Sequence, residues 1–204
     1  MRPTAACRPR PQLGAGRACR GAGDRARPEA SWLSLTPTLL RLGIVSDTHG
    51  YYHPELDEVF AGVDLILHAG DVGPAEVAER LGKLAPVVGV YGNVDGPPVR
   101  GRFKEHARFE VEGMRVWMTH IGGHPKRWAK GIGPALRADP PDLFVCGHSH
   151  ILRIERVPAL RRMLYINPGA AGRQGFHQVK TCVRLTLEGG SARDAEVIHL
   201  TDPA

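Results

Sequence analysis

Short apolar runs alternate with helical segments in the first half of the chain, and this order limits the folds it can adopt. Strands are predicted at 42–46, 65–68 and 87–91, with helices between them at 54–60 and 74–84. Each helical segment begins with proline, which is favoured in the first turn of a helix. This strand–helix–strand–helix–strand order predicts a parallel sheet with right-handed crossover connections.

The second half of the chain has a pattern that is typical of antiparallel hairpins. Glu112-Gly113 and Glu188-Gly189-Gly190 are turn signals between apolar runs. Strands are predicted at 107–111, 114–119, 143–146, 151–157, 163–166, 181–187 and 196–200, and a short helix near 135–138. Together the patterns predict one α/β domain over residues 39–204, with two layers of sheet and helices outside.

Residues 1–38 differ from the rest of the chain in composition. They are rich in Arg, Pro, Gly and Ala, and seven Arg against two acidic residues give them +5 of the net charge of +6. Such a segment buries too little apolar surface to offset its ordering entropy, so we expect disorder. A basic arm for nucleic acid or anionic lipid and a targeting peptide are alternatives, but we favour a mis-assigned translation start. The nearly neutral domain gives no sign of a nucleic-acid-binding patch.

Neither the cysteines nor the apolar runs indicate a secreted or membrane protein. Cys7, Cys19, Cys146 and Cys182 form no C-x-x-C pair, and we expect reduced thiols that mostly pack in the protein. No apolar stretch approaches the roughly 18 residues of a membrane span, and the N-terminus lacks the apolar region of a secretory signal. We therefore expect a cytoplasmic protein that does not contact a membrane.

Side chains that can hold metal ions follow five of the predicted strands. They are Asp47 and His49, Asp71, Asn93, His120, and His148 with His150. Functional residues of α/β proteins emerge where parallel strands end, and several of these ends contain glycine, which allows a sharp turn. Residues two apart in extended chain point to the same side, so Asp47 and His49 should converge. A single Asp-x-His or a lone His is as compatible with a structural role as with metal binding. Five such placements together predict a metal site.

Seven ligands are too many for one transition ion, and they suit two neighbouring ions that share a carboxylate. Mixed nitrogen and oxygen ligands without thiolate favour Mn²⁺, Fe²⁺ or Zn²⁺ over Cu⁺. Two ions about 3.5–4 Å apart can stabilise in-line displacement at phosphorus and supply hydroxide at neutral pH. No nucleophilic Ser or Cys is then required. Ser46 and Ser149 are interpreted as local hydrogen-bonding residues, His68 as a buried structural histidine, and Trp117 and Trp128 as packing residues.

The ordered motifs resemble the signature of the calcineurin-like metallophosphoesterases. They are Asp47-x-His49, Gly70-Asp71, Gly92-Asn93-x-Asp95, His120 and Gly147-His148-Ser149-His150. The short length and Asn167-Pro168-Gly169 are similar to the small YfcE-type phosphodiesterase branch. The resemblance covers about residues 40–200 and implies the metallophosphoesterase fold, a four-layer α/β/β/α sandwich of two mixed sheets with helices outside.

The resemblance also implies a role for each ligand. Asp47, His49 and His150 would hold the first metal, Asn93, His120 and His148 the second, and Asp71 would bridge the two. The implied cofactors are two divalent ions, with Mn²⁺ favoured and Fe²⁺, Zn²⁺ or Ni²⁺ as alternatives. Asn93 and His120 would also be catalytic, because with the metals they would stabilise the charge that develops on the phosphoryl group.

The chain departs from the family pattern beside several of these ligands. Many relatives have His directly after the Asn of the third motif, where this chain has Val94. Proton donation typically contributes about 10²–10⁴-fold, so its loss predicts a preference for aryl-like leaving groups of low pKa. Asp95 is interpreted as a supporting residue rather than an acid. His124 is either a displaced site residue or a loop histidine, and Ala170 stands where relatives often have Ser.

We therefore expect a dinuclear metal-dependent phosphodiesterase, in which a hydroxide shared by two ions attacks phosphorus in line. The expected partner is a small phosphodiester, with nucleic acid only as substrate ends, and homo-oligomer formation is left open. One alternative is a non-catalytic interaction scaffold of the same fold, such as the retromer subunit, whose metal site is altered. Another is a protein or nucleotide phosphomonoesterase. The seven intact ligand side chains argue against the scaffold.

Overall fold

The structure, a computed structural model, describes residues 39–175 and 178–201. The tail at 1–38, for which the sequence predicts disorder, lies outside the described residues. The strands are β1 Leu40–Val45, β2 Leu65–His68, β3 Val87–Gly89, β4 His106–Val111, β5 Met114–Thr119, β6 Gly123–His124, β7 Arg127–Trp128, β8 Leu143–Val145, β9 Arg153–Val157, β10 Met163–Asn167, β11 Lys180–Glu188 and β12 Ser191–Leu200. The helices are α1 Leu56–Val59, α2 Ala75–Leu81, α3 Pro97–Arg102 and α4 Ile132–Ala138, with a 3₁₀ turn at Pro158–Leu160.

The first sheet has the strand order β12-β11-β1-β2-β3. Strands β1, β2 and β3 are parallel, as the alternating pattern predicts. Strand β11 pairs with β1, and β12 pairs with β11, each in antiparallel orientation. Val45 lies opposite His68, and His68 lies opposite Gly89. The three parallel strands therefore end nearly level, and the loops that follow them start from one edge of the sheet.

The second sheet has the strand order β4-β5-β8-β10-β9. Its central strands β5, β8 and β10 are parallel, while β4 and β9 pair with them in antiparallel orientation at the two edges. Met118 lies opposite Val145, and Val145 lies opposite Ile166. The loops after the three central strands therefore also start from a common edge.

Three apolar clusters hold the layers together. The cluster between the sheets includes Leu42, Ile44 and Leu67 from the first sheet and Val116, Met118, Leu143 and Val145 from the second. On the outer face of the first sheet, α1 and α2 contribute buried residues such as Leu56 and Leu81. On the outer face of the second, Leu136 of α4 packs with Trp117 and Phe144. The order of layers is helix, sheet, sheet, helix, which confirms the predicted α/β/β/α sandwich.

Some elements are present that the sequence patterns did not indicate. Helix α3 begins with Pro97-Pro98, a dipeptide typical of loops that is nevertheless compatible with a first helical turn. Strands β6 and β7 pair over two residues each, too few to show a hydrophobic period. Helix α2 ends at Leu81, three residues before its predicted end. None of the helices in the described part of the chain has the length and apolar character that a membrane span requires.

The two cysteines of the described region pack in the interior. Cys146 and Cys182 are free and completely buried. Burial raises the pKa of each thiol to about 12, so both are protonated at neutral pH. This agrees with the prediction of reduced packing thiols for these two residues, while Cys7 and Cys19 lie outside the described residues.

Candidate metal centre

The loops that follow the parallel strands of both sheets bring the candidate ligands together. Six of the seven form two groups, Asp47 with His49 and His150, and Asp71 with His120 and His148. Within each group the ligand atoms lie within 4.8 Å of one another. The seventh candidate, Asn93, lies beside the second group, with its Oδ1 3.2 Å from Nε2 of His120. Each group combines residues from loops of both sheets.

Asp47 is the centre of the first group. Its side chain is completely buried, and its Oδ1 lies 3.2 Å from Nε2 of His150 and 4.0 Å from Nε2 of His49. The Ser46 hydroxyl donates to Oδ2 at 2.6 Å, and the His148 N–H donates to the same oxygen at 3.1 Å. These bonds fix the carboxylate so that Oδ1 faces the two imidazoles, and the same oxygen lies 3.9 Å from Nε2 of His120 in the second group. Ser46 is thus a hydrogen-bonding residue, as predicted.

His120 is held in one orientation in the second group. Its Nδ1–H donates to the carbonyl of Ala69 at 2.8 Å. The neutral ring therefore has an unprotonated Nε2, which is the tautomer that a metal ligand needs. Nε2 lies 3.2 Å from Oδ2 of Asp71. The ring of His148 lies edge-on to that of His120, with ring centroids 5.2 Å apart.

Asp71 lies between the histidines of the two groups. Its Oδ2 is 3.2 Å from Nε2 of His120 and 3.9 Å from Nε2 of His49. Its other oxygen, Oδ1, accepts the backbone N–H of Val94 at 3.0 Å. One oxygen of Asp71 thus faces both groups, as Oδ1 of Asp47 also does. This placement is compatible with a bridging ligand.

The donor set fits divalent metal ions. Asp47 and Asp71 are 0% and 2% exposed, and buried carboxylates are normally paired or coordinate metals. The Nε2 atoms of His49 and His150 lie only 3.2 Å apart, an approach that a shared cation would stabilise. Four imidazole nitrogens and two carboxylates suit first-row ions such as Mn²⁺, Fe²⁺ and Zn²⁺.

The pKa shifts agree with a metal-binding role. Burial lowers the pKa of His49 and of His148, so both rings are unprotonated near neutral pH. Burial opposes the charged form of His120, but its hydrogen bond to Asp71 and the charge of Asp47 raise its pKa. Burial likewise acts to raise the pKa of Asp71, but hydrogen bonds from His120 and the Val94 N–H hold it below its usual value. A cation between Asp71 and His120 would take the place of the proton that the pair shares.

Five of the six grouped ligands have a left-handed backbone. The φ values are 53° for Asp47, 47° for His49, 51° for Asp71, 67° for His148 and 57° for His150. Such values are uncommon for residues other than glycine and cluster at functional sites. Asp47 and His49 do converge, but the predicted reason, an extended chain, is wrong. Both residues lie in a turn after β1, in which the His49 N–H donates to the carbonyl of Asp71 at 2.9 Å.

Two glycines provide space for the carboxylates. A Cβ on Gly92 would lie 2.7 Å from Cγ of Asp71 and closer still to its Oδ1 and backbone nitrogen. A Cβ on Gly147 would lie 2.7 Å from Oδ2 of Asp47. Neither glycine has a positive φ, so their role is close packing rather than the sharp turn expected from sequence. Gly70, with φ of 95°, does have the expected turn geometry.

His68 is a buried structural histidine, as predicted. Its Nδ1 accepts the N–H of Gly70 at 3.2 Å, so Nε2 carries the proton and donates to the Thr48 hydroxyl at 3.0 Å. The Thr48 hydroxyl in turn donates to the carbonyl of Val72 at 3.0 Å. This chain of bonds ties the loop after β1 to the loop after β2. The structural role of Thr48 was not predicted from the sequence. No spacing pattern indicates it, and the only available signal is its position between two candidate ligands.

We predict that His68 makes the metal-free protein sensitive to acid. Burial lowers its pKa from 6.5 to about 4, so below pH 6.5 the unfolded chain binds a proton that the folded chain excludes. Above pH 6.5 this residue therefore does not lower the free energy of unfolding. On acidification to pH 4.5 the free energy of unfolding falls by about 2–3 kcal/mol. Urea unfolding in chelator at pH 7 and pH 4.5 measures this loss. His68→Gln, which cannot titrate, should lose less stability over this interval, and an equal loss would contradict the prediction.

Other buried polar side chains hold the loops that carry the ligands. Asp95 accepts the N–H of Gly73 at 2.8 Å with one oxygen and that of Gly92 at 2.7 Å with the other. This supports its interpretation as a supporting residue rather than an acid. Asn167 donates to Ser149 Oγ at 3.0 Å, which positions the loop after β8.

Comparison with known proteins places the chain in a family. The profile of the calcineurin-like phosphoesterase superfamily domain matches residues 40–190. This chain belongs to that superfamily. A probable metallophosphoesterase of Methanothermobacter thermautotrophicus is 33% identical over 174 residues, which are 79% of this chain and 94% of the relative. Another, from Methanocaldococcus jannaschii, is 29% identical and is matched over 72% of this chain and 78% of its own length.

Solved structures share the fold of this calcineurin-like phosphoesterase. A structure described as a novel archaeal phosphodiesterase is 24% identical, has a TM-score of 0.61, and is matched over 78% of this chain and 100% of its own. Vps29 of Entamoeba histolytica, complexed with zinc, is 20% identical with a TM-score of 0.59, over 79% and 100% of the two chains. These likenesses agree with the two mixed sheets and few helices of the metallophosphoesterase fold.

The positions at which this chain departs from its family pattern add no member to the two candidate metal groups of the described residues. Val94 is 54% exposed, and only its backbone N–H contacts a ligand. His124 belongs to neither metal group, and its Nδ1 accepts the N–H of Lys126 at 3.3 Å. His124 thus lies outside both metal groups, but it lines the groove that opens beside His148.

Two cavities flank the candidate metal centre. The polar groove, about 460 Å³, is lined by Asn93 and His120 together with Arg100, Glu105 and Lys130. The apolar groove, about 290 Å³, opens beside His148 and has Ile121, Trp128, Ile151 and Tyr165 among its walls. Ile121 and Ala129 line both grooves. A substrate at the metal centre would therefore meet two chemically different surfaces.

Proposed function

We propose that the protein is a dinuclear metal-dependent phosphodiesterase. The observation that carries this proposal is the pair of three-ligand groups, in which one histidine of each group, His49 and His120, faces the same oxygen of Asp71. Bound there, two divalent ions would supply a hydroxide nucleophile at neutral pH and stabilise charge on the phosphoryl oxygens. Because the ligands are nitrogen and carboxylate oxygen without thiolate, we propose Mn²⁺, with Fe²⁺, Zn²⁺ and Ni²⁺ as alternatives.

The chain's own residues would bind the ions and orient the phosphoryl group. Asp47, His49 and His150 would hold one ion, Asn93, His120 and His148 the other, and Asp71 would bridge them. The amide oxygen of Asn93 faces Nε2 of His120, so Nδ2 is the atom that can donate to a phosphoryl oxygen from the wall of the polar groove. Arg100 and Lys130 in the same groove would attract an anionic ester.

The direct test is to strip the protein of metal, add Mn²⁺, and measure whether hydrolysis of bis-p-nitrophenyl phosphate returns. The matched monoester, p-nitrophenyl phosphate, separates a phosphodiesterase from a phosphomonoesterase. We expect faster turnover of the diester. A higher kcat/KM for the monoester would favour the phosphomonoesterase alternative.

We predict a strong dependence of the rate on the leaving group. Val94 cannot donate a proton, and proton donation typically contributes about 10²–10⁴-fold. Diesters with a p-nitrophenyl leaving group should therefore react at least 100-fold faster, relative to their uncatalysed rates, than dialkyl diesters. Steady-state kinetics on both classes measures this difference. Equal rate enhancements would contradict the prediction, and Val94→His is expected to increase alkyl-ester turnover without a comparable gain on aryl esters.

An interaction scaffold is the second candidate function. It is favoured by the fold that the chain shares with Vps29 structures, one of which is that of Vacuolar Protein Sorting 29 from Cryptosporidium parvum, with a TM-score of 0.62. Folded protein that binds two ions but hydrolyses neither phosphate monoesters nor diesters would support it. The buried carboxylates and grouped histidines favour the enzyme instead.

A further inference from the structure

The apolar groove places exposed hydrophobic side chains directly beside the metal centre. Ile151 is 62% exposed and Ile121 is 45% exposed, although most large apolar residues of the described region are buried. Ile121 follows the candidate ligand His120, and Ile151 follows His150. Another candidate ligand, His148, is itself part of the groove wall. An apolar group bound in this groove would thus lie next to a phosphorus atom held at the metals.

The walls of the groove are preformed. The ring of Trp128 packs edge-on against Phe144, with centroids 5.8 Å apart, and against Tyr165 at 5.9 Å. The Tyr165 hydroxyl donates to the carbonyl of Gly123 at 2.7 Å, which satisfies the polar end of that side chain. The aromatic wall is therefore fixed before any ligand binds, so little ordering entropy opposes the binding of an apolar group.

The size of the groove selects its occupant. At about 290 Å³ it lies at the lower end of the range for small-molecule sites, enough for a ring-sized group but not for a large ligand. Arg127, Arg153 and His124 also line the groove. Its aromatic and branched aliphatic walls provide the apolar surface that a flat ring can pack against, and the arginines can stack on a ring face or pair with the phosphoryl charge. The neighbouring polar groove, with Arg100, Glu105 and Lys130, suits the opposite kind of substituent.

We propose that the apolar groove binds an aromatic ring attached to phosphorus through an ester oxygen, so that the natural substrate is an aryl phosphodiester with an unlike, polar second substituent. This inference rests on the proposed function, because it places the phosphorus at the metal centre. Ile121, Trp128 and Ile151 are then specificity-determining residues. The ring lies between the two isoleucines and Trp128, and the second substituent extends into the polar groove.

The experiment compares two non-hydrolysable ligands, benzylphosphonate and methylphosphonate, by calorimetric titration of the Mn²⁺-loaded protein. In benzylphosphonate a CH₂ group takes the place of the ester oxygen between ring and phosphorus. The wild type should bind benzylphosphonate about tenfold more tightly, because the methyl group cannot fill the groove. Ile151→Ser and Trp128→Ala should each reduce that ratio several-fold while leaving the affinity for methylphosphonate unchanged. Ile151→Leu, which keeps an apolar side chain, should retain most of the preference.

Leu39→Ser is the matched control. Leu39 is 56% exposed and precedes β1, at the opposite end of that strand from Asp47, so this substitution should leave the ratio at its wild-type value. Equal binding of the two phosphonates by the wild type would overturn the groove proposal and leave the proposed function standing. A ratio unaffected by either groove variant would overturn it as well. If neither phosphonate binds protein that carries two ions, the phosphoryl site fails and the groove proposal fails with it.

Discussion

Asp71→Asn is expected to lower phosphodiesterase activity at least 100-fold and to reduce metal binding from two ions to one or none. Oδ1 of Asp71 accepts the Val94 N–H, a bond that the amide oxygen of Asn can keep, so the loop should hold its shape. The amide NH₂ would then replace Oδ2, the atom that faces His120 and His49. The site loses the negative charge between its two groups. Mutation of a residue that only hydrogen-bonds to a metal ligand typically lowers metal affinity or activity about 10–100-fold. Loss of a bridging ligand should therefore have a larger effect.

The matched control for this substitution is Asp139→Asn. Asp139 is exposed and pairs with Arg115 at the start of β5, at the opposite end of that strand from His120. Its loss should change stability by less than about 1 kcal/mol and leave turnover unchanged. Activity is measured with bis-p-nitrophenyl phosphate and metal content by elemental analysis. An Asp71→Asn protein with two bound ions and near-wild-type turnover would refute the bridging role.

Gly92→Ala is expected to have the second-largest effect. The new methyl group would overlap with Asp71, whose Cγ would be only 2.7 Å away. Asp71 cannot yield easily, because it is held by the Val94 N–H and packed against His120. Overpacking of this kind costs about 1–3 kcal/mol of stability, and a ligand displaced by about 1 Å can lower activity about 100-fold. Thermal unfolding and steady-state kinetics of the metal-loaded variant measure the two effects.

Gly101→Ala provides the comparison. Gly101 lies in α3, and a Cβ there would have nothing within 4 Å. Because alanine is favoured over glycine inside a helix, this variant should gain about 0.5–1 kcal/mol and keep full activity. If Gly92→Ala were as stable and as active as Gly101→Ala, close packing against Asp71 would not matter for the site.

The layered fold could be predicted because its central strands bury both faces. The runs at 42–45, 65–67 and 143–145 contain no polar side chain, and each lies in a parallel strand whose end is at the ligand edge. Helix α3 could not be predicted, because Pro97-Pro98 is typical of both loops and helix starts. The hairpin of β6 and β7 depends on tertiary contacts rather than on a local pattern, since each strand has two residues.

The residues of the candidate site could be predicted from the sequence, but much of their geometry could not. Polar residues after apolar runs indicated which side chains would meet, and the structure brings them together. The left-handed conformations of Asp47 and His49 could not be predicted, because that conformation is stabilised by bonds to the loop after β2. The role of Thr48 was missed for the same reason, since it depends on the distant His68. The bridging role of Asp71 and the identity of the metals stay proposals.

The most direct test of the central claim is the hydrolysis of bis-p-nitrophenyl phosphate by metal-stripped protein as Mn²⁺ is added in known equivalents. We expect negligible turnover without metal and a rise that saturates near two ions per chain, with Asp71→Asn inactive throughout. Folded protein that binds two ions and shows no turnover would contradict the catalytic claim and favour the scaffold. Full turnover without metal, or saturation at one ion, would contradict the dinuclear site.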